Sequence, residues 1–207
     1  MSEFRRRLLM RQSEIPYQQV EYLQSDSSAY IDTGIGGGSD DLEIYCKFLW
    51  TKHVDYGDIY ANILDTSHNA TRLSLGDLTW YDDKTLFDTL NSSLYAPYTL
   101  NLKTAGANNI HEIFSSANSA IIDGVTYYRT SYSLEFNNLN IILWNRPDAV
   151  FRDIGLKIYS FKISKSGEAL RDFVPVRVGD VGYMYDKVSK QLFGSIGTGQ
   201  FILGQDI

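Results

Sequence analysis

Trp80, Tyr81, Asp82 and Asp83 follow one another directly, and Asn91, Tyr95 and Tyr98 come soon after. Flat aromatic rings stack on the CH faces of sugars, while carboxylates and amides bond sugar hydroxyls. Tyr and Trp combine an apolar ring with a polar tip. Trp80, Tyr81, Asp82, Asp83 and Tyr95 therefore form the candidate carbohydrate site. Each also has a plainer reading. Leu78-Thr-Trp80 alternates as a strand with a core tryptophan would, and Asp82-Asp83 suits a solvated turn. Tyr127, Tyr128 and Tyr132 form a second aromatic group.

Catalytic patterns are missing from the chain. Sandwich glycosidases carry a Glu-x-Asp-x-x-Glu strand, whose alternation brings two carboxylates to about 5–5.5 Å in retaining enzymes. The acidic clusters here, Asp40/Asp41, Asp55/Asp58 and Asp82/Asp83, do not have that spacing. His53, His68 and His111 are far apart and show no zinc spacing, and Cys46 is the only cysteine. No Gly-x-Ser-x-Gly elbow occurs. Gly34-Ile-Gly-Gly-Gly-Ser lacks the Lys-Ser/Thr and following helix of a phosphate loop. No enzyme activity, metal or other cofactor is expected. Calcium would have to use Asp55, Asp58, Asp65 and Asp82, whose spacing is not that of an EF-hand.

A second group with a chemical character is basic. Phe4, Arg5, Arg6, Arg7 and Arg11 lie in a short segment ahead of Pro16. Its four arginines against Glu3 give +3, which leaves −9 of the net −6 on the rest of the chain. The segment reads either as an anchoring arm or as a solvated tail. An acidic body argues against a nucleic-acid partner, because phosphate contacts need a basic face. Leu8-Leu9-Met10 is too short for a signal-peptide core, and no stretch reaches membrane-span length. The expected protein is made in the cytoplasm, without a membrane partner. A lone Cys46 allows no internal disulfide and reads as a buried thiol.

These residues must be positioned by strands. From Tyr17 onward the apolar period is 2, most cleanly at Leu42, Ile44, Cys46, Phe48 and Trp50. Some fifteen short strands are expected, with no apolar pattern of helical length. Asp123-Gly124 is the strongest hairpin signal. Aromatic residues make up 14%, and most of the 15 tyrosines read as strand formers. A chain of 207 residues is long enough for one full core. The expectation is an all-β, antiparallel β-sandwich over residues 16–207, preceded by an arm over 1–15.

Both ends of the chain carry phrases that resemble a known family. Val20-Glu-Tyr-Leu-Gln-Ser and Ala29-Tyr-Ile-Asp-Thr-Gly open the chain. Ile158-Tyr-Ser-Phe-Lys-Ile, Arg171-Asp-Phe-Val-Pro-Val, Val181-Gly-Tyr-Met-Tyr-Asp-Lys-Val, Phe193-Gly and Gly197-Thr-Gly close it. Together they resemble concanavalin A-like (LamG-like, jelly-roll) β-sandwich domains of phage virion proteins and gut-bacterial surface proteins. The resemblance implies a structural or adhesive virion protein: head decoration, head fibre or tail appendage. Its implied partners are other virion proteins, reached through the arm, sister copies in a homo-oligomer, and surface glycans. A bacterial carbohydrate-binding module is the alternative, and a glycoside hydrolase or lyase the third. The physical reading of the motifs themselves is scaffold. Tyr185-Asp186 and Leu192-Phe193-Gly194 form a hairpin around Ser189. Gly194, Gly197 and Gly199 supply positive φ, Asp32 and Thr33 bond the backbone where a strand ends, and Pro175 marks an edge or a strand end.

Overall fold

The computed structural model describes residues 15–25, 28–36, 41–49, 51, 59–65, 72–78, 84–89, 97–98, 109–116, 119–128, 140–144 and 155–207; for 59–65, 72–78, 84–89, 97–98, 120 and 127–128 the backbone alone is described. Seventeen strands occur in the order β1 (Gln18–Gln19), β2 (Leu23–Gln24), β3 (Ile31–Gly36), β4 (Leu42–Leu49), β5 (Ile59–Asp65), β6 (Arg72–Leu78), β7 (Lys84–Thr89), β8 (Pro97–Tyr98), β9 (His111–Ser115), β10 (Ser119–Ile122), β11 (Val125–Tyr128), β12 (Asn140–Leu143), β13 (Lys157–Lys165), β14 (Glu168–Val178), β15 (Val181–Asp186), β16 (Gln191–Phe193) and β17 (Ile202–Leu203). No helix occurs among the described residues.

The strands form two antiparallel sheets. The larger runs β11-β10-β9-β4-β13-β14-β15-β16 and also takes in β1, β2 and β17; the smaller runs β3-β12-β5-β6-β7-β8. Alternation explains the layering. Along β4 Leu42, Ile44, Cys46 and Phe48 are buried in the core and the residues between them point outward, while Leu49 at the strand end is buried as well. Inward residues of the larger sheet (Ile44, Ile113, Phe161, Phe173, Met184) join Ile31, Ile141 and Leu143 of the smaller in one core cluster. The arrangement is therefore all-β and sandwich-like. Cys46, expected as a buried thiol, is closed off, with its thiol pKa pushed up by burial; Trp144 is buried and donates from Nε1 to the Leu156 carbonyl at 3.2 Å, while Trp50 lies outside the described residues.

The two ends of the chain share one seam. β13 and β14 pair from Phe161↔Phe173 to Lys165↔Glu168 and then part. Into the fork come β2, paired to β13, and β1, paired to β14. β17 lies on the far side of β2, and Val20 bridges Asp206. Arg177 clamps this seam with a bidentate pair to Asp206 at 2.7 and 2.6 Å.

Three local expectations need correction. Pro175 lies inside the eleven-residue β14, opposite Met184, and not at its end. Its missing N–H falls between the last β13 partner, Phe173, and the first β1 partner, Val176, so no bond to either strand is lost. Thr33 and Asp32 bond backbone groups within β3, which continues to Gly36. The glycines at 194, 197 and 199 are not among the positive-φ residues. At Gly197 the need is close approach: a Cβ there would collide with the Ser28 carbonyl and the Tyr30 ring. Finally, Ser166-Gly167 is a second tight hairpin, with φ of 50° and 81°, that joins β13 to a longer β14 than its apolar pattern suggests. The Asp123-Gly124 hairpin is present as expected, with φ of 49° and 82°.

Candidate functional site

Trp80, Tyr81, Asp82, Asp83 and Tyr95, and the arm residues Phe4, Arg5, Arg6, Arg7 and Arg11, lie outside the described residues. So do Asp55 and Asp58, while Asp65 is placed by its backbone at the end of β5. Among the described residues no group of three or more His, Cys, Asp or Glu side chains could hold a metal. His111 pairs with Asp123 instead, Nδ1 to Oδ2 at 2.7 Å. The other oxygen of Asp123 accepts from the Glu112 amide at 2.9 Å. That carboxylate therefore pins the β10–β11 hairpin to β9.

The familiar phrases at the two ends meet around Arg171. It projects from β14 opposite Ile163, on the inward side, and reaches the smaller sheet. Its Nε donates to the Thr33 carbonyl at 2.9 Å, and Nη1 to the Leu170 carbonyl at 2.9 Å. Asp186, fully buried, lies 3.7 Å from the same Nε. The Asp186 carboxylate also accepts from the amides of Asp172 (2.8 Å), Val188 (3.1 Å) and Ser189 (3.1 Å). It thus caps the β15–β16 turn and compensates its own burial with charge-assisted bonds. Phe193 supports the guanidinium from 5.4 Å and packs edge-on against Phe173. Downstream, the Ile196 and Gly199 amides bond the Tyr30 and Ser28 carbonyls. Arg171 thus ties β3 of the smaller sheet to β14, and Asp186 ties the β15–β16 turn to the same strand. The hub holds the fold together.

The outward face of the larger sheet differs. Ile44 and Cys46 point in, so Tyr45 points out. Gly182 and Met184 point in, so Tyr183 and Tyr185 lie on the other side of the sheet, where Tyr183 is partly exposed and Tyr185 is buried. On β13, Ile158 and Phe161 are buried, and a register shift between Ile158 and Ser160 leaves Tyr159 and Ser160 together on the outer side. Tyr22, before buried Leu23, meets Tyr159 edge to face with ring centroids 5.5 Å apart. Tyr17 covers Tyr185 in the same way at 5.6 Å. Of the tyrosines whose side chains are described, all but Tyr30 lie on this face. Strand propensity alone would scatter them over both faces, so their gathering on one side is a feature that sequence reasoning missed. The available signal was register: five of the six, all but Tyr17, sit one residue from an inward-facing buried position.

Polar groups separate the rings. Lys157 Nζ stands 4.1 Å over the Tyr22 ring, and Lys162 lies directly across from Tyr45. Lys47 pairs with Glu112 at 3.3 Å, and Lys187 with Asp172 at 2.9 Å. Glu21 lies beside Tyr159, and Glu43 adjoins Ser164. These four lysines and four carboxylates leave the described part of the face without net charge. Burial, then the Glu112 carboxylate, raises the pKa of the Tyr45 phenol; burial, then Tyr22 and Glu21, raises that of Tyr159. Both hydroxyls therefore remain protonated, able to donate and accept, throughout the neutral range.

Comparison with models of known protein families, with curated proteins and with solved structures returns no match to this chain. No described helix is long and apolar enough to cross a membrane.

Proposed function

We propose that this chain is a non-enzymatic structural and adhesive protein of a bacteriophage particle, a concanavalin A-like jelly roll used as head decoration, head fibre or tail appendage. The observation that carries the reading is the division of labour between the two faces of the larger sheet. The inward side and its Arg171 hub are wholly architectural. The outward side carries six tyrosines, five of them partly exposed and Tyr185 buried beneath Tyr17, interleaved with lysine, glutamate and serine, a composition made for contact. The phrases at both chain ends resemble phage proteins of this fold and point the same way. In this reading the basic residues Phe4 to Arg11 anchor the domain to the particle or to sister copies.

Mass spectrometry of purified particles tests the assignment, with and without residues 1–13. The full chain is expected in the particle, and the truncated chain is expected to fold but to be left out. Unchanged incorporation of the truncated chain would remove the anchoring role, and absence of the full chain would remove the virion reading. The tyrosine-lined face equally favours a bacterial carbohydrate-binding module. Capsid or tail genes beside this one support the first reading; polysaccharide-utilisation genes support the second.

A further inference from the structure

We infer that the outer face of the larger sheet binds a neutral polysaccharide chain laid along β13, between Tyr22 and Tyr45. The inference rests on the adhesive reading and names its ligand class and its site. The track is continuous. Tyr22 and Tyr159 touch at one end, Ser160 lies within side-chain bonding reach of the Tyr45 hydroxyl at the other, and Lys157 and Lys162 flank them. From Lys157 to Lys162 the strand spans roughly 15 Å, long enough for several linked sugar rings.

Three properties select the occupant. The rings alternate with donors and acceptors, and the aliphatic side chain among them, Leu49 opposite Lys157, is buried beneath its neighbours. That pattern suits a ligand with CH faces and hydroxyls and does not suit an apolar protein surface. The described lysines and carboxylates on the face are equal in number, so a polyanion gains no net attraction there, which disfavours nucleic acid and uronate polymers. The phenols of Tyr45 and Tyr159 are partly buried and fixed by neighbours, so little side-chain freedom is lost on binding.

The test is affinity electrophoresis and calorimetry of the full chain against neutral β-glucan, mannan, galactan and xylan, alongside polygalacturonate and oligothymidylate. Binding to at least one neutral polymer is expected. It should weaken about tenfold with Tyr159→Ala or Tyr22→Ala, and stay within about threefold with Tyr159→Phe, which keeps the ring. Unchanged melting temperatures for these outward substitutions separate lost contact from lost fold. Neutral-polymer binding that survives Tyr159→Ala and Tyr22→Ala but is lost with Trp80→Ala would overturn this site and leave the adhesive reading standing. Preference for polygalacturonate or oligothymidylate would overturn the neutral assignment. No binding to any polymer would overturn the inference, while particle mass spectrometry would still decide the virion reading separately.

Discussion

Asp186 is the residue whose loss should cost the fold most for its size. It is fully buried, accepts three backbone amides and faces Arg171. Asp186→Ala strands those donors and the guanidinium together, a cost of about 3–5 kcal/mol. Arg171→Met removes one bond to the Thr33 carbonyl but leaves Asp186 its amide partners, so about 1–3 kcal/mol is expected. Urea denaturation of both variants checks the order: Asp186→Ala must be the more damaging. Asp206 gives a pH prediction. Its pKa is lowered, first by the hydrogen bond from Arg177, then partly offset by burial, with the Arg177 charge adding. A depressed carboxylate stabilises the folded state above its unfolded pKa, and that contribution fades as pH falls through the folded value. Protection from hydrogen exchange at the Glu21 and Ile207 amides, which close the terminal seam, taken relative to the intrinsic amide rate at each pH, should therefore fall on acidification below about pH 4. Asp206→Asn should show the lower protection already at neutral pH.

Strands and turns were the most legible part of the sequence, for a plain reason. Period-2 alternation at Leu42 to Phe48 and the Asp123-Gly124 turn are local signals, and local physics decides them. Pairing partners were not legible, because they depend on which strands meet. Nothing in Gln18-Gln19 indicates that it fills the fork between β13 and β14, beside the last residues of the chain. The tyrosine face was hidden for the same reason: each Tyr reads as a strand former until the sheet puts six on one side. Gly182 shows how tight the fork is. A Cβ there would lie 2.7 Å from Leu23 and from Leu203. Gly182→Ala is expected to cost about 1–3 kcal/mol by overpacking the β2–β15–β17 contact. Phe201→Ala, which removes the ring 4.6 Å from Trp144, should cost about 3–5 kcal/mol. Thermal melts of the two variants check both figures.

At the scale of the molecule, the core and the proposed ligand face occupy opposite sides of one sheet. The inward side and the Arg171 hub tie the beginning of the chain to its end, so the familiar closing phrases are accounted for by architecture. The outward side carries the rings and the balanced charges. The central claim is that this surface holds a ligand without transforming it. The most direct measurement incubates the full chain with the polysaccharides it retains and follows polymer retention and new reducing or unsaturated chain ends in the same samples. Retention that depends on Tyr22 and Tyr159, with no new chain ends over prolonged incubation, is the result this account predicts. Release of sugars or appearance of unsaturated ends, abolished by a single carboxylate substitution, would contradict it.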